Sequence, residues 1–550
     1  MDRPARPEIS VVIATYNRRE MLATCLDALA RQTQDPATFE VIVADDGSSD
    51  GTSEMVEAME TPLRLRALRL ENGGWAAAAN AGARAAEAPI CLQIDDDIIC
   101  SPGLVAAHLA AHREAEGPVV GIGRLIQRQP ESRDWFVRAQ ADDWNRGYAE
   151  RPGKRIDWPD CYGANFSAPS ETLAAVGGFS TDRPTVADME LAYRLAQAGC
   201  GAVYIPEASA LHDDEKDRAR LIRDIEGFGG FCAEFAERHP ETQGQLLGWF
   251  GETTPREVLL RRLLIALRVT PAALAKLGPL APSGRRRRVW YGFIARFSFW
   301  RAVRASMSRR RWLQTTRGLP VLMYHAFTDN GERDRFVMPA ASFERQMRLL
   351  SLLRYRVVSL EQVAATLRNG EPLPRRAVAI TIDDGYADNL RLAQPVLRRH
   401  GFPATLFAVS DRLGARNDWD ENEGPTRGRP LLELEEIERM RTEGTEVGAH
   451  TRTHRSLAGA PAAEVDDEVD GSRRKLEAVL GSPVTTFAYP YGEIDEGAVK
   501  AVAAAGFDGA CTTRASLAHL GDDPLRIPRL EIEATDTLPR FLRKLWFGGR

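Results

Sequence analysis

A chain of 550 residues, 44% apolar and 27% charged, is long enough for two or three separate cores, which excludes a single small domain and a disordered or fibrous chain. Its 72 Lys and Arg nearly balance 77 Asp and Glu, for a formal net charge of −5, which excludes a general nucleic-acid binder. The charge is uneven: residues 255–312 hold 15 bases and one acid, Glu257, so the remainder carries a net charge of about −19.

In chain order, ISVVIATYN is an apolar, β-branched run that ends in a polar turn, the pattern of a buried parallel strand with Thr15, Tyr16 and Asn17 at its tip. A helix is expected over residues 19–32. FEVIVADDGSSDGT repeats the pattern and delivers Asp45 and Asp46. Ligands of open α/β sheets bind beyond the carboxyl ends of strands, so two such tips point to one crevice. Alone, DDGS reads equally well as a solvated turn with a helix cap. ENGGWAAAANAGARAA follows as a glycine turn and a small-residue helix. ICLQIDDDIICSP then places Asp95, Asp96 and Asp97 side by side at the end of an apolar strand. Three adjacent carboxylates repel one another, and burial raises that cost. A hard cation, Mg²⁺ or Mn²⁺, would relieve it and share its remaining positions with phosphate oxygens. A loop of exposed acids fits less well between ICLQI and II.

These segments together resemble the family-two glycosyltransferases of the GT-A fold over residues 8–240. The signs are ATYNR, DDGSSDGT, the helix carrying Asn80, the DDD cluster where the family has its DXD, CYGANFSAPSETLAAVGGFS, and TVADMELAYRLAQAG. The resemblance implies a nucleotide-sugar site formed by Thr15, Tyr16, Asn17, Asp45, Asp46, Asn80, Asp95 and Asp96, with Asp45 and Asp46 on uracil and ribose. It also implies that Asp95 and Asp97 hold the metal–diphosphate, that His212 lies near the metal, and that Asp188 is the catalytic base. Ala187 departs from the family's usual Glu, but Asp188 keeps its register with Glu190, Leu191 and Arg194. A single base without a carboxylate nucleophile suits inversion of the anomeric carbon.

Residues 255–312 come next. Leu259, Leu260, Leu263, Leu264 and Leu267 fall at helical spacing, with Arg261, Arg262 and Arg268 off that stripe. Pro271 and LGPLAPSG break the helix. VWYGFIARFSFWRAV then sets Trp290, Tyr291, Phe293, Phe297, Phe299 and Trp300 between arginines. Two readings stand open: an interfacial helix on anionic lipid, or apolar faces packed on protein with the arginines solvated. The expected division is a transferase domain over residues 1–252, a basic helical connector over 253–317 and a second domain over 318–550.

The second half restarts the alternation. LPVLMYHAF ends in Tyr324 and His325, AVAITIDDGYADN delivers Asp383 and Asp384, and TEVGAHTRTHRSL sets His450 and His454 four apart. One carboxylate and two imidazoles form a facial metal set with open positions. With the later FAYPYG turn, these motifs resemble the polysaccharide deacetylase (NodB homology) domain over residues 320–535, a distorted (β/α) barrel. The resemblance implies Asp383 as general base and Asp384, His450 and His454 as ligands of Zn²⁺ or a similar divalent ion. It also implies an oxyanion donor at the backbone N–H near Tyr491. Two departures stand out. Ala488 sits where the third motif often carries Arg, and LRIPRLEI lacks the usual acid histidine; His519 lies in a polar loop nearby. Arg529 is the candidate to orient Asp383, from its charge alone.

Together the halves suggest transfer of an N-acetylated sugar followed by loss of its acetyl group, or trimming of the acceptor first. The donor expected is UDP-GlcNAc, because an N-acetyl group is what the second half would remove; the acceptor expected is a glycan or glycolipid, and no nucleic acid is involved. The alternative is a transferase whose impaired deacetylase-like half only binds glycan. A membrane-recruited structural protein is a third, weaker reading. Seven scattered cysteines without CxxC spacing read as reduced core thiols, MDRPARPEIS contains no apolar leader, and no run approaches transmembrane length. The expected location is cytoplasmic, with peripheral contact at the inner face of the membrane.

Overall fold

The computed structural model describes residues 6–151, 155–161, 164–182, 186–248, 255–278, 284–316, 318–332, 334–371, 374–419 and 426–549. The chain divides into two compact units, one of Met1–Phe231 with Leu263–Ala305 and one of Cys232–Arg262 with Ser306–Arg550. All seven cysteines are buried and free.

The first unit is built on nine strands: β1 (Ile9–Thr15), β2 (Phe39–Asp45), β3 (Arg64–Arg69), β4 (Ile90–Asp95), β5 (Ile98–Cys100), β6 (Val119–Gln127), β7 (Arg155–Ile156), β8 (Asn165–Pro169) and β9 (Gly201–His212). Their order is β3-β2-β1-β4-β8-β6-β9-β5, with β7 beside β9. β1 and β2 are buried along their whole length, which is why they read as unbroken β-branched runs and not as alternating ones. β3, β2, β1 and β4 run parallel; β8 is antiparallel to both β4 and β6, and β9 is parallel to β6. The carboxyl ends of β1, β2, β4 and β9 therefore share one edge of the sheet. The helix Trp75–Ala85 can lie close to that sheet because its inner face is Ala76, Ala78, Ala79 and Gly82. A Cβ on Gly82 would come within 2.4 Å of Val12.

The second unit has ten strands: β10 (Val321–Tyr324), β11 (Ala326–Thr328), β12 (Val337–Pro339), β13 (Arg356–Val358), β14 (Ala377–Ile382), β15 (Ala404–Ala408), β16 (Thr445–Ala449), β17 (Thr486–Ala488), β18 (Gly509–Cys511) and β19 (Leu530–Glu531). Eight of them form an all-parallel sheet in the order β18-β17-β16-β15-β14-β10-β19, with β13 also on β14. The sheet curls far enough for its edges to meet: Cys511 bridges Ile527, with Ile527 N–H on the Ala510 carbonyl at 2.8 Å and Thr512 N–H on the Ile527 carbonyl at 2.9 Å. This is the expected distorted barrel. Its helices cover one core from Leu322 through Phe343, Leu406, Val469 and Phe487 to Phe541.

The basic stretch separates into helices with opposite habits. The helix Gly284–Ser306 buries Tyr291, Phe293, Phe297 and Phe299, and Trp290 Nε1 donates to the Leu274 carbonyl at 3.3 Å. Arg301 pairs with Glu226 at 2.6 Å, while Arg285 to Arg288 are exposed. For this helix the packed reading holds: Tyr291, Phe293, Phe297 and Phe299 are core, and Trp290 and Trp300 are partly buried. The helix Pro255–Ala266 instead exposes its leucines. The helix ends at Ala266 and a short one starts at Pro271, so the break read there is present; of the break read at LGPLAPSG, residues 279–283 lie outside the described residues. Among the described residues no helix is long and apolar enough to cross a membrane.

Candidate active sites

In the first unit the strand tips assemble as the sequence suggests, but their side chains divide the work. Asp45, at the end of β2, is fully buried: one oxygen accepts from Ser48 N–H at 2.9 Å and the other from the Ser53 hydroxyl. Asp46 accepts from Gly73 N–H at 2.8 Å and Gly74 N–H at 2.9 Å, which fixes the glycine turn before the small-residue helix. Asn17, at φ 53°, takes its place through Asn17 N–H to Ser48 Oγ and Ser49 N–H to Asn17 Oδ1, both 2.8 Å. Tyr16 beside it is 49% exposed.

Asn80 is held elsewhere. Its amide donates to the Phe179 carbonyl and accepts from Phe179 N–H, both at 2.7 Å, so it fastens the glycine-rich turn after β8. Gly178 in that turn has φ +71°, and a Cβ there would sit 2.2 Å from Asn80 Oδ1, so only glycine fits. Arg194 binds the same turn through the Gly178 carbonyl at 2.6 Å, and is itself held by Glu190. This explains the Glu-x-x-x-Arg spacing: it pins the turn that leads to Asp188. Asp188 opens the helix Ala187–Gln197, partly exposed, with Met189 N–H donating to its Oδ1 at 2.8 Å.

The three adjacent aspartates point three ways. Asp96 turns inward to the Thr15 hydroxyl at 2.8 Å and to Arg18 at 2.8 Å. Asp97 meets Arg18 at 2.9 Å on one oxygen and His212 Nε2 at 3.3 Å on the other. The repulsion read from the sequence is thus partly relieved by Arg18, a residue not assigned a role there. One oxygen of Asp95 is buried without a hydrogen-bond partner. Burial first, and the charge of Asp97 next, push the Asp95 carboxyl up to about 7; Asp188 contributes in the same sense, so these two carboxylates feel each other. Burial also works to raise Asp97, but the hydrogen bond and charge of His212 and the charge of Arg18 outweigh it and hold it low. Asp97, His212 and Asp214 bring ligand atoms within 4.8 Å of one another. Asp213 N–H on the Asp97 carbonyl at 2.9 Å locks the two segments together. Asp214 was legible in principle, since extended backbone places residues two apart on one face and Asp214 follows His212 in HDDE. The two carboxylates and the imidazole of Asp97, His212 and Asp214 are a donor set that fits a divalent cation.

In the second unit Asp384, His450 and His454 converge from the carboxyl ends of β14 and β16. Asp384 Oδ1 lies 3.4 Å from His450 Nε2 and 3.2 Å from His454 Nε2. Ligands about 2.0–2.1 Å from one ion sit roughly 3.2 Å apart, so the trio already has metal-site spacing. His450 Nδ1 contacts the Ala488 carbonyl at 2.7 Å, which orients the ring and leaves Nε2 toward Asp384. Trp419 stacks on His454 with centroids 4.6 Å apart, and Tyr491 meets the other side edge-on at 4.9 Å. Burial alone would raise the Asp384 carboxyl, but its hydrogen bonds to both histidines take it well below the usual range. Glu468, nearly buried on the helix Ala462–Leu480, holds the loop between the histidines: it accepts from Arg452 N–H at 2.8 Å, Thr453 N–H at 3.0 Å and the Thr453 hydroxyl. Asp384, Thr451, His454 and Tyr491 all have left-handed φ, between 59° and 72°. For a β-branched threonine this is a genuine outlier, and each such residue stores about 1–3 kcal/mol.

Asp383 faces Arg529. Arg529 Nη1 and Nη2 grip its two oxygens at 2.6 and 2.7 Å, and Arg529 Nε donates to the Thr512 carbonyl at 3.1 Å. Both side chains are almost wholly buried. Burial would raise the Asp383 carboxyl; the Arg529 charge outweighs it and keeps it ionised. With Ala488 at the motif position, the arginine that contacts Asp383 comes from the segment before β19. His325, at the end of β10, interacts electrostatically with both Asp383 and Asp384, which sets an imidazole beside the site from a strand the sequence reading left without a role. His519 is not in this group; its N–H donates to Asp522 at 2.8 Å in its own loop.

Comparison with known proteins finds a family match in each of two segments of the chain. Residues 10–169 match the model described as glycosyl transferase family 2, and residues 370–510 match that described as polysaccharide deacetylase. Over 272 residues the chain is 32% identical to a validoxylamine A glucosyltransferase of Streptomyces hygroscopicus subsp. limoneus, covering 44% of this chain and 58% of that protein. The chain therefore spans little more than half the length of that relative. It is 27% identical to the solved structure of BC0361, a polysaccharide deacetylase from Bacillus cereus, covering 42% of this chain and 69% of that one with a TM-score of 0.35. It is 21% identical to Streptococcus pyogenes deacetylase PplD in complex with acetate, covering 42% and 98% with a TM-score of 0.37.

Proposed function

We propose that the chain, whose residues 10–169 match the glycosyl transferase family 2 model and whose residues 370–510 match the polysaccharide deacetylase model, is a bifunctional carbohydrate enzyme. It transfers a sugar from a nucleoside diphosphate donor to a glycan or glycolipid and hydrolyses an N-acetyl amide on the glycan. The observation that carries this reading is the pair of acid–imidazole clusters at strand ends, Asp97/His212/Asp214 and Asp384/His450/His454. A binding module has no need of both.

In the transferase, Asp188 takes the proton of an acceptor hydroxyl, whose oxygen bonds to the anomeric carbon as the bond to the diphosphate breaks, with inversion. A cation at Asp97, His212 and Asp214 would neutralise the departing diphosphate; the mixed carboxylate and imidazole donors suit Mn²⁺ better than Mg²⁺. Thr15, Tyr16, Asn17, Asp45 and Asp46 frame the nucleoside, with Asp45 and Asp46 doing so largely through the loops they fix. The donor is UDP-GlcNAc, on the ground that the second site removes acetyl groups.

In the deacetylase, Asp383 takes a proton from the water that attacks the amide carbonyl, and Arg529 keeps it ionised and aimed. Zn²⁺ or a similar ion at Asp384, His450 and His454 would polarise the carbonyl and the water. A backbone N–H near Tyr491 faces the developing oxyanion. His325 gives a proton to the nitrogen as the C–N bond breaks, releasing acetate and a free amine. The impaired-deacetylase alternative rested on a missing arginine and a missing acid histidine, and Arg529 and His325 stand in those roles. Asp188→Asn should abolish release of nucleoside diphosphate while nucleotide binding persists; unchanged turnover in that variant would sink the base assignment.

A further inference from the structure

A cavity of about 340 Å³ lies at the carboxyl ends of β6 and β9, where Gln127 and His212 are register partners. All of its walls belong to the first compact unit. The sheet order sets β6 and β9 apart from β1 and β2, with β4 and β8 between. His212 and Asp214 belong both to the cavity wall and to the acid–imidazole cluster. One wall is a helix face: Val137, Gln140, Ala141 and Trp144 of the helix Trp135–Ala149 follow helical spacing, which sets an indole and two apolar side chains beside an amide. Gln127 and Gln129 add two more carboxamides. The rim is already fastened. Gln127 Nε2 donates to the Asp214 carbonyl at 2.9 Å, Glu215 accepts from Ser132 N–H at 2.9 Å, and Arg218 bonds Asp134 at 2.8 Å. A ligand therefore pays little to order these segments. Among the described residues, the buried His212 Nδ1 has no hydrogen-bond partner, and a buried polar atom ordinarily has one.

We propose that this cavity holds an unphosphorylated sugar residue of the acceptor, one ring away from the ring that reacts; the proposal rests on the transferase reading above. An apolar helix face opposite amides and carboxylates matches a sugar ring, with its C–H faces and its rim of hydroxyls that both donate and accept. The volume is at the small end of ligand pockets, about 300–1,000 Å³, which suits a sugar residue and not a long chain. Charge excludes a phosphate. Glu131, Asp213, Asp214 and Glu215 line the cavity against Arg128 and Lys216 alone, and those two are engaged, Arg128 with Asp213 at 2.5 Å and Lys216 with Asp224 at 3.0 Å. Asp188 does not line the cavity. The ring whose hydroxyl reacts therefore sits at Asp188, and the cavity takes its neighbour.

The test is an NMR saturation-transfer titration of the full-length chain, without donor or metal. The probes are methyl glycosides of glucose, glucosamine and N-acetylglucosamine, the corresponding disaccharides, and glucose 6-phosphate. Disaccharides should bind more tightly than single rings, and glucose 6-phosphate more weakly than either. Gln140→Trp, which fills the cavity from an external helix face, should abolish the advantage of the second ring while circular dichroism stays unchanged. Gln140→Ala, which removes one amide and keeps the space, should weaken disaccharides roughly fivefold. Disaccharide binding that survives Gln140→Trp, a preference for the phosphorylated sugar, or no saccharide binding at millimolar concentration would overturn the proposal. Release of nucleoside diphosphate from a donor panel is measured separately. If no donor is turned over while Gln140-dependent saccharide binding persists, the transferase reading falls and a saccharide site remains; if donors are turned over and saccharides ignore Gln140, the cavity assignment alone falls.

Discussion

Arg529 is the residue whose removal says most about the second site. Its guanidinium is buried against Asp383 with two short hydrogen bonds. Arg529→Met leaves that carboxylate buried and unpaired, a loss of about 3–5 kcal/mol, visible as a lower denaturation midpoint, together with loss of acetate release. The folded Asp383 value lies below its ordinary one, so the stabilisation from the pair is complete above about pH 4 and disappears as pH falls through the folded value. The acid limb of the stability curve should be shallower in Arg529→Met; an unchanged limb would show that the pair is not what holds Asp383 ionised. Glu468 acts one step further out. Glu468→Gln should weaken Zn²⁺ binding by titration calorimetry about 10- to 100-fold, because it loosens the backbone between His450 and His454, not the ligands themselves. Sequence reasoning reached Arg529 only through its charge, named His325 only as a strand tip, and missed Glu468, Asp214 and Arg18. Each of these acts through a neighbour from another part of the chain, and only folding supplies that neighbour. Asp384, His450 and His454 were legible as a group because the Asp-Asp strand tip, the HxxxH spacing and the FAYPYG turn point the same way, where HxxxH alone would not.

At the scale of elements, strands were easier to read than faces. β1, β2 and β14 are β-branched, buried throughout and end in functional loops, as unbroken apolar runs imply. In the basic stretch the leucine helix was identified by periodicity and the aromatic one by its mix of rings and arginines, but neither pattern says what lies against the face it names. The aromatic helix turned inward and the leucine helix outward. A buried polar cluster gives the sheet its own pH signature. His108, on the helix Leu104–Glu114, bonds Ser167 and Asn165 of β8 at 2.8 Å, and His112 joins Ser167 at the same distance. Burial depresses His108 to about 4. The unfolded chain therefore takes up a proton first as pH falls, and stability drops between roughly pH 6.5 and 4 by up to about 3 kcal/mol. His108→Gln should lower the slope across that window in denaturant titrations, with His112, which burial also depresses to about 4, supplying the rest; an identical slope would remove His108 as a source.

On the scale of the whole molecule, each compact unit carries its own acid–imidazole cluster, and with the bases proposed at Asp188 and Asp383 the two chemistries should be separable in one polypeptide. Asp384→Ala should remove acetate release and leave nucleoside diphosphate release within about twofold, since neither unit takes a ligand from the other's cluster. Two α/β units with distinct acidic motif sets were legible from the sequence. The exact bounds were not: Leu263–Ala305 groups with the first unit although it follows Cys232–Arg262 of the second, a return of the chain that no local pattern encodes. The most direct test gives the purified chain a panel of nucleotide sugars with Mn²⁺ and an N-acetylated glycan, following nucleoside diphosphate and acetate separately. The account predicts that both products appear, that Asp188→Asn removes only the first and that Asp384→Ala removes only the second. Acetate release that survives Asp384→Ala, or diphosphate release that survives Asp188→Asn, would contradict it.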